Sequence, residues 1–250
     1  MTSIGNPGPR HEERLQLLSA ISGIRHGLLH DDGEPVLCIA SDTALRTLNS
    51  SIWGGGFQTS YFIINRQVPK SYMSDDPARE MGDFLSRTGY PAEHCAGMLT
   101  AAWVEHAGHE TMALDDLTVS AWVTVGLSNA ARAGDIVDVD RLYPGTINSI
   151  VLVDGWMTDA AMVNAVITAT EAKTALLQEL RIPAGPDGRL ATGTTTDAIV
   201  VAATQRGASR YAYAGTATRL GYLIGRTVYE AGRQAALEYL DYVRVREAHK

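Results

Sequence analysis

Between residues 147 and 204 the chain reads INSIVLVDG, then TDAAMVNAVITATEAKTALLQEL, then DAIVVAAT. The outer segments are apolar runs of strand length, closed off by polar residues. The middle one repeats apolar residues at helical spacing. Thr158 is placed to cap that helix, and Val163, Ile167, Thr170, Thr174 and Leu177 fall on one expected core face. Two buried strands separated by a helix leave few options: a sheet with helices laid on it.

The rest of the chain extends this pattern. EPVLCIAS (34–41), TSYFIINRQV (59–68), TAAWVEHA (100–107) and LTVSAWVTVGL (117–127) read as strands. Leu15, Leu18, Ile21 and Ile24 recur at three-residue spacing, which predicts an amphipathic helix over 11–28. A second helix is expected over 75–89, with Asp76 as cap, Pro77 in its first turn and Gly89 after its end. A long helix closes the chain, 218–247. Its small residues Gly221, Gly225, Ala231, Gly232, Ala235 and Ala236 suit close packing, on the sheet or in a homo-oligomer. Helices separate some strands and not others, so the expected class is α/β or α+β with a mixed sheet. A flexible tail over 1–10 is followed by a single domain over 11–250, long enough to bury a proper core.

Charge excludes one class of partner. There are 21 basic and 28 acidic residues, a net of −7, with no excess of Lys and Arg to neutralise a nucleic-acid backbone. Cys38 and Cys95 form no CxxC pair, and Cys38 within VLCIA reads as a small buried hydrophobe. The first residues carry no apolar leader, and no run reaches 18 apolar residues. The expectation is a cytoplasmic protein with no membrane span.

No P-loop, HExxH, GxSxG or GxGxxG motif is present. His106 and His109 in EHAGHE do not share a face, so no metal site is expected there. What remains is a set of polar blocks at element ends: GLSNAARAGD (126–135), GTIN (145–148), TATEAK (168–173), ATGTTTD (191–197) and AGTATRLG (214–221). Singly, each is ordinary turn or cap chemistry; Thr216, for example, is placed to cap the last helix. Together they suggest a shared cleft. Glu171 flanks the apolar stripe of its helix, and Asp197 enters a buried strand. Such carboxylates need partners, for which Lys173 and Arg219 are candidates.

SAWVTVGLSNAARAGD, PGTINSIVLVDGWMTDAAMVNAVITATEAKTALLQEL, ATGTTTDAIVVAAT and YAGTATRLGYLIGRTVYEA together resemble the adenosylcobinamide amidohydrolase family over most of the chain. The resemblance implies an enzyme of corrinoid salvage. It would hydrolyse the amide joining aminopropanol to the corrin ring's propionate arm, leaving adenosylcobyric acid. No cofactor is implied, cobalt entering only within the substrate. Two positions depart from the family pattern: Gly54 opens Gly-Gly-Gly where Asn-Gly-Gly is usual, and Ala217 replaces the histidine of Gly-Thr-His-Thr.

Amide hydrolysis needs a nucleophile, a base, an oxyanion donor and a proton for the leaving amine. Glu171 or Asp197 is the expected base, acting on water or on the hydroxyl of Thr194 or Thr196. Backbone amides around Gly193 and the side chain of Asn129 or Asn148 would hold the oxyanion. Lys173 or Arg219 would tune the carboxylate or protonate the amine, and Thr146, Thr192 and Thr216 would line the site. Trp53, beside three glycines, is placed to cover bound substrate. The alternatives are a divergent member acting on another substrate of specialised metabolism, and a non-catalytic corrinoid-binding protein.

Overall fold

A computed structural model describes residues 14–31, 33–136, 145–185 and 187–248; the tail expected over 1–10 lies outside them. Strands β1 (Gln16–Leu17), β2 (Ile24–Asp31), β3 (Glu34–Asn49) and β4 (Gly56–Gln67) come first. Helix α1 (Pro77–Thr88) and strands β5 (Cys95–Thr100), β6 (Gly108–Leu114), β7 (Leu117–Val125) and β8 (Ala130–Ala131) follow. Strands β9 (Ile147–Asp154) and β10 (Trp156–Met157) lead into helix α2 (Asp159–Glu179). The chain ends with β11 (Gly193–Thr194), β12 (Ala198–Ala203), β13 (Arg210–Tyr211) and helix α3 (Arg219–Ala248).

The main sheet is mixed, in the order β1-β2-β3-β12-β9-β7-β6, with β4 on the other edge of β3 and β5 beyond it. Strand β3 makes this possible. It runs 16 residues, pairs with β2 in its first half and β12 in its second, and shifts register against β4 between Ala40 and Leu45. The two halves of the sheet then lie face to face. Leu37, Ile39, Ile63 and Met98 from one half meet Trp122, Ile150, Leu152 and Val200 from the other. Alternate residues serve the outer layers, as the two-residue period of a strand requires. Val36, Cys38, Phe62 and Ile64 pack under α1, and Val123, Val151, Val153 and Val201 pack under α2 and α3. The result is four layers: α1, two sheet halves, and the α2–α3 pair.

Local signals explain the helix ends. Asp76 Oδ1 accepts from the Arg79 amide at 3.0 Å, and Gly89 ends α1 at φ 87. Thr158 Oγ1 accepts from the Ala161 amide at 3.1 Å and starts α2. Thr218, and not Thr216, caps α3, its hydroxyl accepting from the Gly221 amide at 2.9 Å. The small residues of α3 serve the sheet: Ala231, Ala235 and Ala236 are buried in the helix-side core. Gly108 of β6 lies so close that an added Cβ would fall 1.8 Å from the Ala231 carbonyl oxygen.

Three expectations are corrected. Residues 14–28 form no helix. Leu15, Leu18, Ile21 and Ile24 are all buried, but around the tight β1–β2 turn, with Gly23 at φ 73; Leu15 packs in the core under α1 and the other three in the inner core. A turn that folds back brings every third residue inward just as a helix does. The strand expected over 100–107 lies earlier, as β5, and Val104–His106 is a single helical turn. On α2 the buried face follows Ala161, Met162, Ala165, Thr168, Ala169, Leu176 and Leu177; of the expected face Leu177 is buried, while Val163 and Ile167 stay 46% and 51% exposed. Flanked by the sheet and by α3, the helix turns its small residues to both, because alanine allows backbones to approach closely. No helix among the described residues is long and apolar enough to cross a membrane.

Candidate active site

The hydroxyl-rich segment ATGTTTD begins by pairing: Gly193 and Thr194 of β11 lie antiparallel to Ala131 and Ala130 of β8. Most of its threonines then stitch backbone. Thr192 Oγ1 accepts from the Ala133 amide at 2.9 Å, and Thr174 Oγ1 donates to the Thr192 carbonyl at 2.9 Å. Thr196 Oγ1 donates to the Gly145 carbonyl at 2.6 Å, and Thr146 Oγ1 returns a bond to the Thr196 carbonyl at 2.9 Å. Such bonds are the usual work of threonine at turns. The Thr196 hydroxyl proton is therefore committed, and of the two threonine nucleophile candidates Thr194 is the one beside a carboxylate.

Asp197 is the hub. Its Oδ1 accepts from the Ile147 amide at 3.0 Å and from Thr194 Oγ1; its Oδ2 accepts from the Thr194 amide at 3.0 Å and from Lys173 Nζ at 2.5 Å. The pair is largely enclosed, the side chains of Lys173 and Asp197 being 14% and 16% exposed. Four donors fill the acceptor positions of a carboxylate. Asp197 therefore has no lone pair left for a free water, and the one proton it is placed to take belongs to Thr194. Gly193 is needed for this geometry: a Cβ there would fall 2.4 Å from Asp197 Oδ2 and 3.0 Å from Lys173 Nζ.

The ion pair stands at the wall of a pocket of about 250 Å³, between α2 and the amino-terminal ends of the parallel strands β9 and β12. Ser50, Ser149, Ala169 and Thr170 line it with Lys173 and Asp197. The GTIN, TATEAK and ATGTTTD blocks thus converge, and Ser149 joins them unforeseen. Alternation along β9 could have found it, since it is the polar residue in an apolar row.

Other candidates lie elsewhere. Glu171, two residues before Lys173, is turned about 200° around the helix axis. With Thr216 it lines a separate groove of about 380 Å³ between α2 and α3. Exposed Ala217 follows Thr216 there. Arg219 pairs with Asp115 at 2.6 Å on the surface, so Lys173 alone of the two proposed cations meets Asp197. Both amide protons of Asn148 are committed, to Asn65 Oδ1 at 2.9 Å and the Leu99 carbonyl at 2.8 Å, and those of Asn129 go to the Gly145 carbonyl and Thr195. Neither asparagine keeps a donor for an oxyanion. Trp53 is held in the α1 layer, where its Nε1 donates to the Ala92 carbonyl at 2.8 Å, its ring abuts Gly82 and its Cβ lies against Gly97. The nearby Gly54 has φ 68, and a Cβ there would meet the Cys95 carbonyl oxygen at 2.5 Å, so no side chain fits.

The two histidines of EHAGHE part company. His106 bonds Glu238, while His109 stacks on Trp122 at 4.6 Å and sits 4.7 Å from His26 in the inner core. Burial first, and the neighbouring His26 second, push His109 down to about 4. Burial lowers His26 as well. The unfolded chain takes up these protons from about pH 6.5 downward, the folded chain at His109 only near pH 4 and at His26 below its ordinary range. Their contribution to stability is complete above about pH 6.5 and is lost as pH falls toward 4. The melting temperature should fall over that window, and less steeply in His109→Gln. Parallel profiles for the two proteins would show that other groups carry the effect.

Known proteins resemble this chain over most of its length. The family model described as adenosylcobinamide amidohydrolase matches residues 22–243. An adenosylcobinamide amidohydrolase of Halobacterium salinarum is 33% identical over 200 residues, covering 77% of this chain and 80% of that protein. One of Methanosarcina mazei is 29% identical over 192 residues, covering 74% and 86%. The uncharacterised protein MJ1613 of Methanocaldococcus jannaschii is 32% identical over 196 residues, covering 69% and 75%. Among solved structures, the PH0078 protein of Pyrococcus horikoshii OT3 aligns with a TM-score of 0.43 at 12% identity, covering 87% of this chain and 85% of that one. A Burkholderia sp. beta-aminopeptidase aligns at 0.42 and 13%, covering 86% and 84%. The chain belongs to the adenosylcobinamide amidohydrolase family, whose activity is hydrolysis of an amide carbon–nitrogen bond.

Proposed function

We propose that this protein hydrolyses the aminopropanol amide of adenosylcobinamide, releasing adenosylcobyric acid for corrinoid salvage in the cytoplasm. The observation that carries the reading is the Lys173–Asp197 pair at the wall of a pocket in a member of this family, with the Thr194 hydroxyl bonded to the same carboxylate just beyond the lining. At about 250 Å³ the pocket is smaller than the roughly 300–1,000 Å³ of ordinary ligand sites. It has room for an amide-bearing arm, while the macrocycle would rest outside.

In this mechanism Thr194 Oγ1 attacks the amide carbonyl carbon and its proton passes to Asp197 Oδ1. The Lys173 ammonium stabilises the oxyanion that develops. The carbon–nitrogen bond breaks as Asp197 returns the proton to the departing amine. Acylated Thr194 no longer donates to Asp197 Oδ1, so a water can take that position, lose its proton to the carboxylate, cleave the threonyl ester and regenerate the hydroxyl. The role assigned to Lys173 follows from its place beside the carboxylate, which fixes its ammonium at one wall of the pocket.

Incubation with adenosylcobinamide, followed by mass spectrometry, tests the reading. Adenosylcobyric acid and aminopropanol are expected in equal amounts, and Thr194→Val should produce neither. Binding seen as a corrin absorbance shift without product would point to a carrier. Neither binding nor product would point to another amide substrate.

A further inference from the structure

Ser149 sits in the middle of β9, in the row that faces α2. The other members of that row, Ile147, Val151 and Val153, are apolar and buried in the helix-side core. Its neighbours across the sheet, Val123 and Ile199, are apolar too. Central strands covered on both faces are normally apolar throughout, so a serine here stands out. It is 4% exposed, and it lines the pocket that Lys173 and Asp197 share.

The surrounding hydroxyls all have partners. Thr170 Oγ1 donates to the Val166 carbonyl at 2.8 Å, Ser50 Oγ accepts from the Ile199 amide at 2.9 Å, and Thr194 and Thr196 are bonded as described. Ser149 Oγ makes no hydrogen bond among the described residues. The Ser149 oxygen is not one of the fully enclosed, unpartnered polar atoms of the described residues; it opens on the pocket. A hydroxyl that bonds nothing in the protein and faces the pocket is free to bond what enters it.

We propose that Ser149 is a substrate-contacting residue whose hydroxyl hydrogen-bonds the amide-bearing arm in the pocket and selects carbonyl-containing polar groups over apolar ones. This rests on the assignment of the pocket to the substrate. The chemistry on the two sides of the pocket is complementary. Lys173 offers only donors, whereas a serine hydroxyl both donates and accepts. Together they match the two faces of an amide: the carbonyl oxygen takes a donor, and the N–H needs an acceptor. A site built to bond a polar substrate group also rejects analogues that lack it, because its own buried group is then left unpaired.

The test is steady-state kinetics with adenosylcobinamide on the wild type, Ser149→Ala and Ser149→Thr, with thermal melting alongside. Ser149→Ala should melt close to the wild type, since the hydroxyl bonds nothing within the protein. Its kcat/KM should fall about tenfold or more, mainly through KM, and Ser149→Thr should recover most of the loss. A drop of several degrees in the melting temperature would reveal a structural partner and overturn the proposal. Unchanged kcat/KM in Ser149→Ala, with Asp197→Asn inactive, would sink Ser149 and leave the site standing. A wild type that binds adenosylcobinamide without turnover refutes the hydrolytic reading alone; the same comparison is then read as Kd, with about tenfold weaker binding expected. Absence of any binding overturns both.

Discussion

Asp197→Ala should lower the stability of the fold by about 3–5 kcal/mol and abolish turnover. The stability loss follows from what the carboxylate leaves behind. Lys173 is 14% exposed and would lose its ion-pair partner, and the Ile147 and Thr194 amides would lose their acceptor. Removing one member of an enclosed ion pair typically costs this much, because the remaining charge stays desolvated. Three segments depend on the same group: the start of β9, the turn into β12 and the flank of α2. Loss of turnover has a separate origin, since Thr194 loses the group that takes its proton. The double variant Asp197→Ala/Lys173→Met separates the two. It should regain much of the stability, because no unpaired charge remains, and stay inactive. Urea unfolding of both variants with product assays reads this directly. A double variant as unstable as the single one would show that the ion pair is not the source.

Much of this fold was legible because its signals are local. Asp76, Thr158 and Gly89 mark helix ends by bonds that span a few residues, and the runs INSIVLVDG and DAIVVAAT are apolar enough to be strands in any context. Errors came where one pattern has two physical origins. Three-residue spacing at Leu15, Leu18, Ile21 and Ile24 arises from a turn as well as from a helix. The stripe Val163–Ile167 is apolar yet exposed, because α2 turns a different face, rich in alanine, toward the sheet and α3. The site divides in the same way. Lys173 and Asp197 were recognisable as a possible pair, since a carboxylate entering a core strand needs one. That Thr194 alone of the threonines reaches the carboxylate, and that Glu171 and Arg219 do not share its pocket, depends on helix rotation and on distant surface contacts. Alternation within INSIVLVDG singles out Ser149 as the polar residue of an apolar row, but which face that row covers depends on the folded sheet.

Asn148→Leu is the variant for which a catalytic and a structural role predict opposite outcomes. As an oxyanion donor, Asn148 would be missed in turnover by about 100- to 1,000-fold, with the fold unaffected. Its surroundings argue otherwise. It lies on the face of β9 opposite the pocket, in the inner core with Ile150 and Leu152, and is 1% exposed. Its amide donates to Asn65 Oδ1 and the Leu99 carbonyl, and its Oδ1 accepts from Thr146 at 3.1 Å. Asn65 in turn donates to Thr124 Oγ1 at 3.0 Å, so one side chain ties together β4, β5, β7 and β9. Leucine would leave two buried oxygens without a donor, each costing about 1–3 kcal/mol, and would break the tie between the two halves of the sheet. The expected loss is about 3–5 kcal/mol, a fall of roughly 10 °C or more in melting temperature for a chain of this size. Turnover at low temperature, measured per folded molecule, should stay within a few-fold of wild type. A stable but inactive Asn148→Leu would place this amide at the reacting carbonyl, and the nucleophile would then have to be sought on the inner face of the sheet instead of beside Lys173.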